Sequence, residues 1–223
     1  MSRQDVVRLF VRVYVVTSAD LFPGRSHLDV ARAAVDGGAT AVQLRGPELE
    51  RRPQELIAVA RAVAELCDEK DVRFIVNNAV DVALEAAAEG VHVGQDDDVG
   101  RARRRLGSAR YLGVSVETPD QARRAEELGA DYLGVTVFGT RTKPEAKPIG
   151  LEGLRNVVAA TSLPVVGIGG VDASNAGDVL SAGAAGVAAV SAVGAAEDPV
   201  RATRDLAAAV TRFFDRHDRG ERK

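Results

Sequence analysis

Residue types that bind anions, hold cations or move protons recur in this chain at one kind of place, immediately after a short apolar run. In order they are Thr17, Gln43 and Arg45, Asn77 and Asn78, Gln95 to Asp98, Ser115 and Glu117, Thr136, Gly167 to Gly170, and Ser191. Asp96, Asp97 and Asp98 offer consecutive hard oxygen ligands, and Mg²⁺ often takes one or two carboxylates beside substrate phosphate oxygens. Capping the next helix is the other use for such a run. In "VVGIGGV" (165–171) three glycines fall in four positions after β-branched residues. Glycine weakens a strand, so it marks a bulge, a turn of positive φ or a close backbone approach.

The segment "FGTRTKPEAKPIG" (138–150) is long, polar and hinged by glycine and proline, as a mobile lid would be. Lys143 and Lys147, two of only four lysines against 25 arginines, fall inside it. A compact ammonium facing a phosphate or pyrophosphate accounts for that placement, and so does a solvated loop. His92, alone within "GVHVG", is expected to be a packed strand residue rather than a ligand, while His27 and His217 look peripheral. Cys67 is the sole cysteine and lies in an apolar helical stretch. It excludes a disulfide framework and a cysteine metal site and predicts a packed thiol.

The elements that must position these residues repeat along the chain. Eight apolar runs read as strands: "VYVVT" (13–17), "AVQLR" (41–45), "FIVNN" (74–78), "VHVG" (91–94), "YLGVS" (111–115), "YLGVTV" (132–137), "VVGIGG" (165–170) and "GVAAVS" (186–191). Between them lie Ala-rich amphipathic segments such as "PQELIAVARAVAELCDEK" and "TPDQARRAEELGA" with helical spacing of apolar residues. Thr118-Pro119-Asp120 and Asp172 to Ser174 read as helix starts, Gly129 and Gly183 as helix ends. Apolar parallel strands joined by helices are buried on both faces, and eight such units in about 200 residues predict a closed single-domain (β/α)8 barrel of the TIM type. Its core is expected over residues 12–215, with short flexible termini. An open doubly wound sheet is the alternative.

In such a barrel the functional face is where the strands end, so the polar tips converge. The loops after strands seven and eight commonly cradle a phosphate, which makes a phosphate oxygen the expected neighbour of Gly167 to Gly170 and Ser191.

Composition excludes other classes. The chain is 46% hydrophobic and 27% charged with a formal net charge of -3, the balance of a globular protein without a polyanion footprint. "RARRR" (101–105) reads as a solvated helix face rather than a nucleic-acid site. No run approaches the ~20 apolar residues of a membrane span, and "MSRQDVVRLF" lacks a signal-peptide core, so no membrane partner and a cytoplasmic location are expected.

The motifs "VQLR", "FIVNN-x-x-DVAL", "GVHVGQDD", "GVSVET", "GADYLGV", "GTRTKP", "VVGIGGV" and "GVAAVSAV", in order across residues 12–208, closely resemble the thiamine phosphate synthase family and its paralogue, the thiazole tautomerases. The resemblance implies the same barrel. It also implies an enzyme that joins an aminopyrimidine diphosphate to a thiazole phosphate, with Mg²⁺ assisting departure of pyrophosphate. A pyrimidine carbocation forms as pyrophosphate leaves and the thiazole nitrogen captures it, so the protein mainly positions reactants and stabilises charge.

Carried over by motif, Gln43, Arg45, Asn77 with Asn78, and Lys143 would contact the pyrimidine diphosphate and the leaving pyrophosphate, and Asp97 would bind Mg²⁺. Ser115 would face the pyrimidine, Thr140 and Thr142 would line the lid, and Gly169, Gly170, Val190 and Ser191 would hold the thiazole phosphate. The catalytic set is then Ser115, Lys143 and Glu117.

Three positions depart from the family pattern: Pro47 replaces a diphosphate-binding lysine, Asn78 a metal-binding aspartate, and Glu117 a histidine. Arg51 and Arg52 are near enough in sequence to supply the missing charge. A tautomerase using Glu117 as its base and a non-catalytic binder of a phosphorylated ligand are the alternative functions. The partners expected are phosphorylated small molecules and not nucleic acid; the assembly expected is a monomer or small homo-oligomer.

Overall fold

The computed structural model describes residues 1–19, 22, 24–49, 51–139 and 146–220, with side chains to residue 217 in the last helix. The strands are β1 Val13–Thr17, β2 Ala41–Leu44, β3 Arg73–Asn77, β4 Gly90–Val93, β5 Tyr111–Ser115, β6 Tyr132–Thr136, β7 Val165–Ile168 and β8 Gly186–Ala189. Each runs parallel to the next in sequence, and β8 pairs with β1, closing a barrel in the order β1 to β8. The closed barrel is the one expected, and the alternative of an open doubly wound sheet is excluded. Every strand is within about two residues of its apolar run, because β-branched stretches bounded by turn residues leave few other solutions.

The helices are α1 Arg3–Phe10, α2 His27–Asp36, α3 Pro53–Asp68, α4 Val80–Glu85, α5 Val99–Leu106, α6 Pro119–Glu127, α7 Gly150–Val158, α8 Ala176–Ser181, α9 Ser191–Gly194 and α10 Pro199–Gly220. Thr118 caps α6 through a reciprocal capping box with Gln121, as its sequence requires. Asp172 does not start a helix. Its Oδ1 accepts from the N–H and hydroxyl of Ser174, and α8 begins a turn later after Asn175. The residues before 12, expected to be a flexible terminus, instead form α1, capped by Ser2 and burying Val7 and Phe10.

Period-two alternation along the strands divides the apolar side chains into two cores. One set faces outward against α2–α8 and α10 and includes Val15, Val42, Leu44, Phe74, Val91, Leu133 and Val187. The other faces into the barrel and comprises Tyr14, Ala41, Ile75, Tyr132, Val166, Ala185 and Ala188, closed from below by Val7, Phe10 and Val11. Phe10 reaches the rings of Tyr111 and Tyr132 with centroids 4.9 and 5.9 Å away, so α1 is the barrel's lower stopper.

Beside it, Asp131 joins Arg3 and Arg103 and accepts from the N–H of Leu112 at 2.8 Å. "RARRR" is therefore partly an anchor. Arg103 pairs with Asp131 and Arg105 with Asp81, while Arg101 and Arg104 are exposed.

Cys67 is fully buried on α3, and burial pushes its thiol up to about 12. Thiol–disulfide exchange needs thiolate. The native protein should therefore leave a thiol-specific disulfide reagent unreacted at pH 8, and release one equivalent on unfolding in denaturant. Stoichiometric release from the native protein would overturn the buried placement.

Candidate active site

The barrel's interior narrows to a hollow that opens at the C-terminal ends of the strands. Tyr14 and Val16 of β1, Gln43 of β2, Asn77 of β3, His92 of β4, Ser115 of β5, Tyr132, Gly134 and Thr136 of β6, Val166 and Ile168 of β7, and Ala188 of β8 line it. Its floor is a hydrogen-bonded set: the hydroxyls of Tyr14 and Tyr132 lie 2.9 Å apart, and Gln43 Nε2 donates to Tyr14 Oη at 3.0 Å. Burial holds both phenols above their ordinary range, so both stay protonated. Above them His92 Nε2 and Ser115 Oγ are 3.0 Å apart, and the His92 ring lies against Tyr132 with centroids 5.5 Å apart. A Cβ on Gly113 would stand 2.2 Å from Tyr132 Cζ and 2.4 Å from His92 Nδ1. The glycine in "YLGVS" thus makes room for the two rings that shape the hollow.

The rim carries Arg45, Gly169, Gly170, Val171, Val190 and Ser191. Arg45 Nη1 donates to Ser18 Oγ at 3.2 Å, and among the described residues no carboxylate forms an ion pair with it. A cation at the mouth of a hollow without a carboxylate partner is arranged for an anionic ligand.

The three glycines divide by cause. Gly167 faces outward, where a Cβ would lie 2.3 Å from Val179 Cγ1 of α8, so helix packing and not a ligand excludes a side chain. Gly169 and Gly170 adopt φ of +83° and +64°, and a Cβ on them would meet Phe138 O at 2.8 Å and Gly139 O at 3.0 Å. The expected phosphate neighbour is therefore not what requires glycine. The β7 loop is instead bent tightly across the end of β6, and the bend brings residues 169–171 to the rim.

A second hollow adjoins the first across Ser115, Gly134, Thr136 and Ile168, and adds Gly94, Gln95, Asp96, Asp97, Val116, Glu117 and Ala146. Asp97 is exposed and its Oδ2 accepts from the Gly94 N–H at 2.6 Å. Gln95 Nε2 donates to Glu117 Oε1 at 3.1 Å, and Glu117 N–H donates to Gln121 Oε1 at 2.7 Å. Asp98 instead caps α5 through the Arg101 N–H. The side chains contributed here are hard oxygen donors, the chemistry Mg²⁺ takes. Among the described residues no three His, Cys, Asp or Glu side chains close on one point. The donor set thus fits a cation that completes its shell from substrate oxygens, and does not form a cage of protein ligands.

Of the residues expected at the site, Gln43, Arg45, Asn77, Ser115, Gly169, Gly170, Val190 and Ser191 meet in the first hollow, and Asp97 and Glu117 in the second. Asn78 is in neither. It is exposed, with φ of +58°, a left-handed conformation that asparagine tolerates better than most residues. Its place is explained by the turn from β3 into α4. Arg51 and Arg52 line neither hollow, and Arg52 pairs with Glu55 on the exposed start of α3. Thr140, Thr142 and Lys143 lie outside the described residues.

Tyr14, Tyr132 and His92 were absent from the expected site, although the sequence carried a signal for them. Stepping back by twos from an inward tip reaches the other inward positions of the strand, so Thr136 leads to Gly134 and Tyr132. His92 is both the packed residue expected and part of the lining.

A family profile described as thiamine monophosphate synthase matches residues 13–193. The thiamine-phosphate synthase of Moorella thermoacetica is 49% identical over 203 residues, covering 90% of this chain and 96% of that one. The thiamine-phosphate synthase of Chloroflexus aurantiacus is 50% identical over 203 residues, at 90% and 93% coverage. Among solved structures, a thiamine phosphate pyrophosphorylase from Pyrococcus furiosus superposes with a TM-score of 0.85 at 38% identity, covering 93% of this chain and 98% of that one. On the strength of a profile spanning all eight strands and of full-length relatives near half identity, the chain belongs to the thiamine monophosphate synthase family.

Proposed function

We infer that the protein joins an aminopyrimidine diphosphate to a thiazole phosphate, giving thiamine phosphate and pyrophosphate. The observation that carries the reading is the first hollow. It is a pocket floored by amide and hydroxyl groups, with Arg45, a cation that has no carboxylate partner among the described residues, on one side of its mouth and the β7 and β8 loops on the other. It suits a flat heterocycle with an anionic group at each end. In the reaction the bond from the pyrimidine's methylene carbon to the diphosphate oxygen breaks, both its electrons leaving with pyrophosphate, and the thiazole nitrogen then forms a bond to the carbocation left behind.

Gln43, Asn77 and Ser115 orient the pyrimidine, with His92 holding Ser115. Arg45 binds the diphosphate and draws charge onto the leaving oxygens, a task the family resemblance also assigns to Lys143. Gly169, Gly170, Val190 and Ser191 hold the thiazole phosphate, placing its nitrogen over the pyrimidine carbon. The family resemblance assigns Thr140 and Thr142 to contacts with the substrates. Asp97 would supply a protein ligand for Mg²⁺, with the rest of the ion's shell coming from substrate oxygens. When bound, the ion neutralises the departing pyrophosphate.

The reading includes one domain over residues 1–223 and a monomer or small homo-oligomer. It includes a cytoplasmic site of action, supported by a lone buried thiol that needs no oxidising compartment. Among the described residues no helix is long and apolar enough to cross a membrane. The tautomerase and binder alternatives gain nothing from the relatives compared, whose names are those of synthases.

The test is an end-point assay of purified protein with the two substrates and Mg²⁺, detecting thiamine phosphate by oxidation to its fluorescent product. Product that disappears on chelation is the expected result. Tight binding of thiazole phosphate with no product would replace the synthase by the binder.

A further inference from the structure

Among the described residues, besides the tyrosines, only five side chains with hydrogen-bonding nitrogen or oxygen are buried, and four of them, Thr17, Ser18, His27 and Gln43, gather at the tips of β1 and β2 and the start of α2. Gln43 belongs to the floor of the hollow. The other three form a separate chain behind Arg45. His27 is 4% exposed; its Nε2 is 2.6 Å from Glu48 Oε1 and its Nδ1 is 2.8 Å from Thr17 Oγ1. Thr17 Oγ1 in turn accepts from the Arg45 N–H at 3.4 Å, and the next residue, Ser18, accepts from the Arg45 guanidinium at 3.2 Å.

The order of donors follows from the chemistry of the groups. An ionised carboxylate only accepts, so the proton between Glu48 and His27 sits on Nε2. In the neutral imidazole Nδ1 is then an acceptor, which draws the Thr17 hydroxyl proton toward it and turns a Thr17 lone pair to the Arg45 N–H. The local backbone is built to admit this chain. Glu48 is held in a short 3₁₀ turn that opens at Pro47, and a Cβ on Gly46 would come 3.2 Å from His27 Nε2.

Glu48 Oε2 is buried with no hydrogen-bond partner among the described residues. Its other oxygen, Oε1, is committed to His27, so the carboxylate's contact fixes the imidazole at the back of Arg45.

We propose that Glu48, His27 and Thr17 are positioning residues that fix the Arg45 backbone N–H and so aim its guanidinium, held by the adjoining Ser18, at the anionic end of the ligand. The proposal rests on the reading of Arg45 as the diphosphate-binding cation. None of the three touches the ligand.

The experiment is calorimetric titration of the whole protein with Mg²⁺-pyrophosphate and, separately, with thiazole phosphate. Thr17→Val, which is nearly isosteric, and His27→Ala should each weaken pyrophosphate up to about tenfold, the upper end for one lost neutral hydrogen bond. Thr17→Ser should restore wild-type affinity, and thiazole phosphate binding should not move. In an Arg45→Ala background neither substitution should weaken pyrophosphate further, because the effect passes through Arg45.

Effects that add to Arg45→Ala, or a Thr17→Val protein with wild-type affinity, would overturn the proposal even if His27→Ala fails to fold. Wild-type protein that binds pyrophosphate through Arg45 but forms no thiamine phosphate would overturn the synthase reading alone. Wild-type protein that binds no pyrophosphate would overturn both.

Discussion

Replacing Arg45 by alanine should lower kcat/KM for the pyrimidine diphosphate by about 100- to 1000-fold, the usual loss when one preorganised donor to developing charge is removed. Arg45 sits on the rim with its Nη1 donating to the Ser18 hydroxyl and no carboxylate ion pair among the described residues, so its removal breaks no ion pair among them. Thermal stability should stay near wild type for that reason, and KM for the thiazole phosphate should change little, because the β7 and β8 loops hold that group. Steady-state kinetics with each substrate varied in turn separates these effects. A loss below tenfold would move the diphosphate to another cation and take Arg45 out of the chemistry.

The second large effect belongs to the seam that closes the barrel. Gly186 begins β8, and a Cβ there would lie 1.8 Å from Val11 O, 2.5 Å from Val11 C and 2.8 Å from Arg12 Cα. All three are backbone atoms at the entrance to β1, and β1 is already registered on β8 with Val13 opposite Val187. No side-chain rotation relieves the clash. Gly186→Ala should therefore cost more than ~3 kcal/mol, at or above the upper end for overpacking a core, and is expected to yield little folded protein. The control is Gly177→Ala in α8, where nothing lies within 4 Å of the added methyl and the change should be neutral or stabilising by up to ~1 kcal/mol. Denaturant midpoints of the two variants measure the contrast. Equal midpoints would show that the β8–β1 seam yields and that closure is not the tight joint described.

Much of the positioning frame was legible in the residues themselves. The eight strands follow from short β-branched runs, each long enough for one pass through a parallel sheet and bounded by Gly, Asn, Asp or Ser. Once a run is a strand, its last residues stand at the barrel mouth. That is why Gln43, Arg45, Ser115 and Ser191 are found where the tips predicted, and why Asn77, one residue from Asn78, faces inward while Asn78 turns outward. Period and chain order carry that information, and both are local.

The meaning of the glycines and of His27 was settled only by tertiary structure. In "VVGIGGV" three identical residues do two different jobs, because Gly167 faces α8 while Gly169 and Gly170 take a left-handed bend over the end of β6. Nothing in the sequence states which neighbour each one meets. His27 looked peripheral because its partners are 10 and 21 residues away, on a strand tip and a turn, with no shared period. The parallel register of β1 on β2, with Thr17 opposite Leu44, brings the Thr17 hydroxyl beneath Arg45 and over the first turn of α2. Sequence by itself therefore determined the elements, their order and the residues at their ends, through periodicity and steric preference within a few residues. Closure of the ring and the partners of its buried polar groups were decided by packing, which joins residues far apart in the chain and leaves no local signature.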